Sequence, residues 1–553
     1  MADFNYPSID FQTSPEHYIH WKVNYEGSIA RVFMDVQIDH PMWEGRYELK
    51  SGSYDLAVDI ELNDIVQRMR FEHPEVKVVL VQGAQDKLFC AGANIPMLGS
   101  SPHAFKVNFC KYTNETRCSI EDASENSGQT WVAALNGTAA GGGYELALAC
   151  EHIYLIDDGN AAVSLPEVPL LGVLPGTGGL TRLTDKRKIR RDISDLFCTK
   201  AEGFRARDAK KYNLIDGSFT RSKWEQGIID VAQNIADKQP EKLLGTSEHL
   251  EGMLLETISS SDSSSGNETT WKYKHLSVTL KDRMATLTMF GPSEAPTRST
   301  KTWSLHAFRE LEDALLRLRF NHLDVGLLLI KSQGSAEKVL EHDKWVLENA
   351  ETDWFVGEIK LYQTRTLRKL DNMAKSIFAL IEEDHCFAGS LFEMTLAADR
   401  SYMFLDEDEE NSISLGTANQ GTHTMSSGLS RLQCRFLGAP TAIEEAFSAA
   451  EDGPITAEEA EDLGLVTASP DDIDYEDEIR IAIEERLSLS PDALTGMEQN
   501  LRFGGKESAE TKIYGRLSAW QNWIFQRPNA VGEKGALTMY GSPERPQFDY
   551  RRT

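Results

Sequence analysis

Apolar runs of strand length alternate with longer stretches of helical periodicity along most of the chain. In the first half, the runs 29–36, 76–81, 131–135 and 152–156 read as strands and the stretches 56–70 and 144–149 as helices. The second half repeats the order, with strands near 276–280, 285–289 and 325–330, helices near 302–319 and 387–398, and a polar helical stretch after about residue 491. Strands alternating with helices predict an α/β fold.

The repetition extends to the residues themselves. Arg70-Phe71-Glu72-His73 followed by VKVVLVQG matches Arg319-Phe320-Asn321-His322 followed by VGLLLIKSQG, an offset of 249. GGGYELALACE (141–151) matches GSLFEMTLAAD (389–399) at an offset of 248, and GLTRL from Gly179 matches GLSRL from Gly428 at 249. Three matches in one order imply a duplicated architecture. Between the halves lies SSSDSSSGNETT, 259–270, whose small polar side chains bury little and read as a linker. The expected organisation is a catalytic domain over 1–258, a linker over 259–270, a second domain over 271–490 and a helical extension over 491–553.

Composition narrows the class. The 553 residues are 41% hydrophobic and 26% charged, a globular mix with length for two domains. A formal charge of -29 argues against general affinity for nucleic acid or anionic membranes. The seven cysteines show no C-x-x-C spacing, which suggests neither a zinc site nor a disulfide framework and fits a reducing cytoplasm. No apolar run approaches the roughly 18 residues that span a bilayer, and residues 1–10 lack the apolar core of a signal peptide. A cytoplasmic protein without a membrane segment is expected.

Two small-residue strings carry the candidate chemistry. FCAGANI (89–95) leaves backbone amides approachable by a ligand, and NGTAAGGGYELA (136–147) opens a helix whose first N–H groups face outward. N–H groups from Ala93 and Gly142 converging on one carbonyl oxygen make an oxyanion hole suited to a thioester. Alone, each string is more often a tight turn or packing contact. Glu145 stands in the first turn of the helix and Glu167 in SLPEVP (164–169), a turn after a strand. Two carboxylates beside a desolvated site can take different pKa values and act as acid and base, although either alone reads as a helix-start or solvated turn residue.

FCAGANI, NGTAAGGGYELALA, SLPEVPLLGVLPGTGGLTRL and Leu214-Ile215-Asp216, in this order, resemble the crotonase, or enoyl-CoA hydratase/isomerase, superfamily over roughly residues 25 to 220. The resemblance implies a spiral of repeated ββα units, an acyl-CoA thioester as substrate, a homodimer or other homo-oligomer, and no metal, flavin or nicotinamide. It implies oxyanion donors at Ala93 and Gly142, an acid/base pair in Glu145 and Glu167, and substrate contacts along Ala91, Gly92, Asn94, Ile95 and Gly141. Asn94 stands where many members carry Asp. In the second half Gly142 and Gly143 align with Ser390 and Leu391, Glu167 aligns with Thr417, and no FCAGAN-like string follows Gly334, so only Glu393 survives opposite Glu145. That half is expected to be a degenerate crotonase-like domain with a structural role.

Weaker signals take bland readings. Lys186–Arg191, KRKIRR, is a candidate for a CoA phosphate but reads first as a solvated helix face or subunit contact. Asp406–Glu410, DEDEE, lacks the alternation and glycine of a calcium loop and reads as a solvated turn. His73 and His322 occupy equivalent repeat positions and read as structural. No G-x-G-x-x-G follows a strand in the second half, which sets aside an appended dinucleotide-binding domain. Two alternatives stay open: hydration of a linear enoyl-CoA with the second half an inactive appendage, and a crotonase-like binding protein without turnover.

Overall fold

The computed structural model describes residues 6–239, 251–406 and 411–553. The chain forms two compact units, Phe11–Thr257 and Ile258–Thr553, with Ser8–Asp10 belonging to the second.

The first unit begins with β1 (Trp21–Glu26), β2 (Ile29–Met34) and β3 (Ser53–Tyr54). Helix α1 (Leu56–Glu72) follows, its N-terminus capped by the Asp55 carboxylate, which accepts from Val58 N–H at 3.2 Å. Next come β4 (Val78–Gly83), β5 (Lys87–Cys90), β6 (Gly92–Ala93), α2 (Ile95–Ser100), α3 (His103–Asn126), β7 (Thr130–Leu135), β8 (Gly137–Ala140) and α4 (Gly142–Ala149). Strands β9 (His152–Asp157), β10 (Ala162–Ser164), β11 (Phe204–Arg205) and β12 (Gly217–Thr220) complete the strand set.

The main sheet runs β1-β2-β4-β7-β9-β12, antiparallel at β1/β2 and parallel thereafter. β4 and β7 are buried at every position, which is why VVLVQG and TWVAAL read as near-continuous apolar runs. A smaller sheet, β11-β10-β8-β5, and the short pair β3/β6 carry the loops that form the site.

The second unit contains one sheet in sequence order: β13 (Ser261–Ser265), β14 (Glu268–Lys272), β15 (Leu276–Lys281), β16 (Met284–Phe290), β17 (Leu327–Gln333), β18 (Ser376–Ile381) and β19 (Arg400–Met403). An antiparallel β15/β16 pair followed by parallel β17, β18 and β19 reproduces the first unit's ladder. Side-chain roles repeat as well. Glu61 accepts from the backbone N–H groups of His20 and Trp21, and Glu310 from those of Lys274 and His275. Tyr18 donates to Asp64, and Tyr273 to Asp313. Both pairs of acids are 249 positions apart.

The smaller sheet is what the second unit loses. Among the described residues, the pair β20 (Ser412–Ile413) and β21 (Ile455–Thr456) and a bridge between Ala388 and Ser414 stand in its place, and the helix Ala336–Asn349 follows β17 where the first unit has its FCAGANI loop.

The serine-rich segment expected to be a linker is instead a β-hairpin, β13 and β14, at the edge of the second sheet. Its side chains bury little on β13, as composition implied, but backbone pairing needs no apolar side chain. Trp271 at the end of that run is buried, and Arg317 grips the outer strand through Ser260 and Asp262.

Beyond residue 490 short helices dock on the second unit. Arg552 donates to the Gly326 carbonyl at 2.8 Å and to Glu498 at 2.5 Å, and Arg502 pairs with Asp399 at 2.7 Å. Among the described residues no helix is long and apolar enough to cross a membrane.

Candidate active site

β6 and the N-terminus of α4 bring the two small-residue strings together. Gly92 has φ +87°, which an L side chain resists, and a Cβ built on it would lie 3.0 Å from Gly142 N. A Cβ on Gly142 would lie 3.4 Å from Ala93 N. The backbone segments that carry the Ala93 and Gly142 amides therefore pack directly against each other. Asn94 N–H donates to the Tyr54 carbonyl on β3 at 2.8 Å, so strand alternation turns the preceding Ala93 N–H away from β3. Gly142 opens α4, where the first N–H groups have no intrahelical acceptor.

Other residues of the FCAGANI string have separate tasks. Asn94 caps α2: its Oδ1 accepts from Met97 N–H at 2.9 Å, while its Nδ2 donates to the Glu48 carbonyl and Ser53 Oγ. Its side chain thus serves loop bonding. Ala91 and Ile95 are exposed.

Glu145 projects from the first turn of α4 and is buried. One oxygen accepts from the backbone N–H groups of Thr177 at 3.0 Å and Gly179 at 2.8 Å, and the other from Thr177 Oγ1. The Thr177 loop is fixed by Arg182, whose Nη1 donates to the Thr177 carbonyl at 3.0 Å and whose other nitrogens hold Glu121. Glu167 begins a single π-helical turn, Glu167–Leu171, immediately after β10. Gly141, with φ +54°, makes room for it, since a Cβ there would meet Glu167 Oε1 at 2.7 Å. Glu167 Oε2 is buried with no hydrogen-bond partner. Burial, and next the negative charge of Glu145, push the Glu167 pKa up to about 7.

The arrangement is asymmetric: one carboxylate held by three donors, and a second beside it with a free oxygen and a pKa near neutrality. Such a pair can exchange protons with a bound substrate. Thr177, Gly179 and Arg182 were not singled out from sequence, although all three lie within GTGGLTRL. Asp59 and Arg117, buried behind β6 and α4, left no sequence signal.

The second unit fills the corresponding positions from within. Ser390 N–H, matching that of Gly142, donates to Asp343 Oδ2 at 2.6 Å, and a Cβ on Gly389 would meet the same oxygen at 2.0 Å. Glu393 is buried between Asn419, at 2.8 Å, and Arg431, at 2.9 Å. Thr417 begins a 3-10 turn in place of Glu167.

Most of the basic run is internally paired: Lys186 with Glu121, Arg187 with Asp216 and Arg190 with Asp192. Arg187 is buried, so the segment is not a simple solvated face. Most of DEDEE, 407–410, lies outside the described residues. Among the described residues no group of three or more His, Cys, Asp or Glu side chains is placed to hold a metal ion.

Residues 53–260 match the family model of enoyl-CoA hydratase/isomerase, and the chain belongs to this crotonase family of enzymes. Within it, the chain is 49% identical over 554 residues to benzoyl-CoA-dihydrodiol lyase of Aromatoleum evansii, covering 98% of each. It is also 28% identical over 193 residues to carnitinyl-CoA dehydratase of Proteus mirabilis (strain HI4320), covering 34% of this chain and 69% of that one. A solved enoyl-CoA hydratase structure from Geobacillus kaustophilus HTA426 aligns at 31% identity with TM-score 0.35, over 41% of this chain and 76% of that one.

Proposed function

We propose that this enzyme opens the ring of 2,3-epoxybenzoyl-CoA, taking up two waters to give 3,4-dehydroadipyl-CoA semialdehyde and formate in aerobic benzoate degradation. The observation that carries the reading is similarity to benzoyl-CoA-dihydrodiol lyase along both units, including the degenerate one, at 49% identity over 98% of the chain.

The residues suit the chemistry. The thioester oxygen accepts from Ala93 and Gly142 N–H, making the carbonyl an electron sink conjugated to the ring. Glu167, with a pKa pushed to about 7 and a free oxygen, takes a proton from water attacking an electrophilic ring carbon and returns it as the ring opens. Glu145, fixed by Thr177 and Gly179, orients that water and keeps the neighbouring carboxyl basic. One ring carbon leaves at the oxidation level of formate, and two waters balance the change without an external oxidant or reductant. The reaction therefore calls for no flavin or nicotinamide. Assembly as a homodimer or other homo-oligomer belongs to the same reading and is measured by sedimentation.

The test is formate release from enzymatically generated 2,3-epoxybenzoyl-CoA, with crotonyl-CoA hydration assayed in parallel. Formate with the aldehyde product is expected. Hydration of crotonyl-CoA without formate returns the enzyme to general hydratase chemistry, and inactivity towards both overturns the assignment.

A further inference from the structure

Behind the two oxyanion donors lies a buried charged cluster that the acid/base chemistry does not use. Arg117 on α3 and Asp59 on α1 are both buried, 3.8 Å apart at their nearest nitrogen and oxygen. Arg117 Nη2 donates to the Gly142 carbonyl at 3.1 Å, and Nη1 to the Thr113 carbonyl at 3.0 Å. Its guanidinium carbon sits 5.6 Å from the centre of the Tyr54 ring. Tyr54 is the residue that β3 sets opposite Ala93. The Tyr54 hydroxyl donates to Asp59, which also accepts from Thr116 Oγ1 at 2.9 Å. One guanidinium thus touches the Gly142 residue directly and reaches Ala93 through its strand partner.

Burying a charged pair is costly, and replacing one by apolar residues is often neutral or stabilising. The second unit supplies an internal comparison. Its helix Trp303–Asn321 repeats Glu61 as Glu310 and Asp64 as Asp313, with the same bonding partners in kind, yet places the buried Phe308 at the position of Asp59. The frame therefore forms without the acid. The acid is present in the unit that carries Glu145 and Glu167, and absent where Asp343 occupies the N–H matching that of Gly142.

We infer that Arg117 is a positioning residue of the oxyanion hole, with Asp59 as its counter-ion and Tyr54 as its second arm. It holds the Ala93 and Gly142 amides convergent and puts a fixed positive charge behind the site where a thioester oxygen becomes negative. The inference rests on the oxyanion assignment made under the proposed function and deepens it, because preorganised donors stabilise developing charge only when they need not reorient.

The full-length protein is tested with 4-(dimethylamino)benzoyl-CoA, an aryl thioester whose absorbance moves to the red when its carbonyl is polarised. The double variant D59N/R117M removes both charges, leaving neither uncompensated in the interior, and R117K is the conservative comparison. The double variant is expected to bind the probe within about threefold of wild-type affinity, lose at least about half of the red shift, and lose roughly 10- to 100-fold in kcat for ring opening with KM little changed. R117K recovers part of both. If D59N/R117M does not fold, R117K alone, which keeps the charge but cannot hold the Gly142 and Thr113 carbonyls with two arms, is expected to lose part of the shift. A full shift and full kcat in the variant that folds overturn the inference alone, as does weakened binding with the shift intact. Wild-type protein that binds the probe without any shift overturns the oxyanion hole and this inference together.

Discussion

Replacing Glu167 by Gln should stabilise the protein while abolishing its turnover. The carboxyl is buried, one oxygen has no partner, and its pKa is pushed from 4.5 to about 7 by burial and then by Glu145. A carboxyl whose folded-state pKa lies above its unfolded value costs nothing below about pH 4.5, where both states hold the proton, and costs more as pH rises towards 7, above which the full amount applies. The displacement is worth ~3 kcal/mol at ~1.4 kcal/mol per tenfold, and partial solvent contact discounts it to ~2 kcal/mol. Gln has no ionisation to suppress, so E167Q should gain ~2 kcal/mol over wild type at pH 8 and well under half of that at pH 5. In melting temperature this is ~4–8 °C for the transition of the first unit, using the scaling for domains of that size. The assay is calorimetry of both proteins at pH 5 and pH 8, beside formate release, where a loss of ~10²–10⁴ is expected for a proton-transfer group. An E167Q protein no more stable than wild type at pH 8, or with an advantage that does not grow from pH 5 to pH 8, refutes the argument that this site stores its cost in a suppressed ionisation.

Removing the Glu145 charge with E145Q takes away the second cause of the Glu167 displacement, so the acidic limb of the residual rate should move to lower pH as turnover falls; a pH profile with an unmoved limb contradicts the coupling. Gly142→Ala sets a Cβ 3.4 Å from Ala93 N without demanding a left-handed backbone, and should lower kcat by ~10²-fold with an unchanged melting curve; wild-type kcat would remove Gly142 from the oxyanion pair. Asp343 in the second unit is pushed to about 7, first by burial, so D343N should raise thermal stability increasingly from about pH 4 to 7 and leave formate release within about twofold, because it lies outside the catalytic machinery. Loss of turnover in D343N would show that the second unit contributes to the reaction.

What the sequence disclosed is local. The strands β4 and β7 were visible because both faces are buried and the residues run nearly all apolar, and the two small-residue strings were visible because close backbone approach leaves few residue choices besides glycine and alanine. The β13/β14 hairpin was hidden because its stability comes from backbone pairing with β15 and from Arg317, some 55 positions away, while composition reports only side-chain burial. The same limit hid Asp59 and Arg117, acid and base on different helices whose meeting depends on how α1 packs against α3. The roles of Glu145 and Glu167 could not be separated from spacing, since their difference lies in the three donors supplied to one by the Thr177 loop and the absence of a partner at Oε2 of the other.

The two units carry different side chains at matching positions of one repeated frame. A buried polar group without a partner is unfavourable, and the second unit supplies such partners from within. In the second unit the N–H matching Gly142 has Asp343, and the carboxylate matching Glu145 has Arg431 and Asn419. In the first, no carboxylate stands at the position of Asp343 and Glu167 Oε2 stays unpartnered. Thr417→Glu alone would therefore not create an acid/base pair in the second unit: the new carboxylate would adjoin an Asp343 already bonded to the Ser390 N–H and a Glu393 already held by Arg431, which also pairs with Asp371. Building a site there requires both vacating the Ser390 N–H, which strands no charge because the partner of Asp343 is a neutral amide, and releasing Glu393, where removing Arg431 leaves Glu393 and Asp371 without their shared cation.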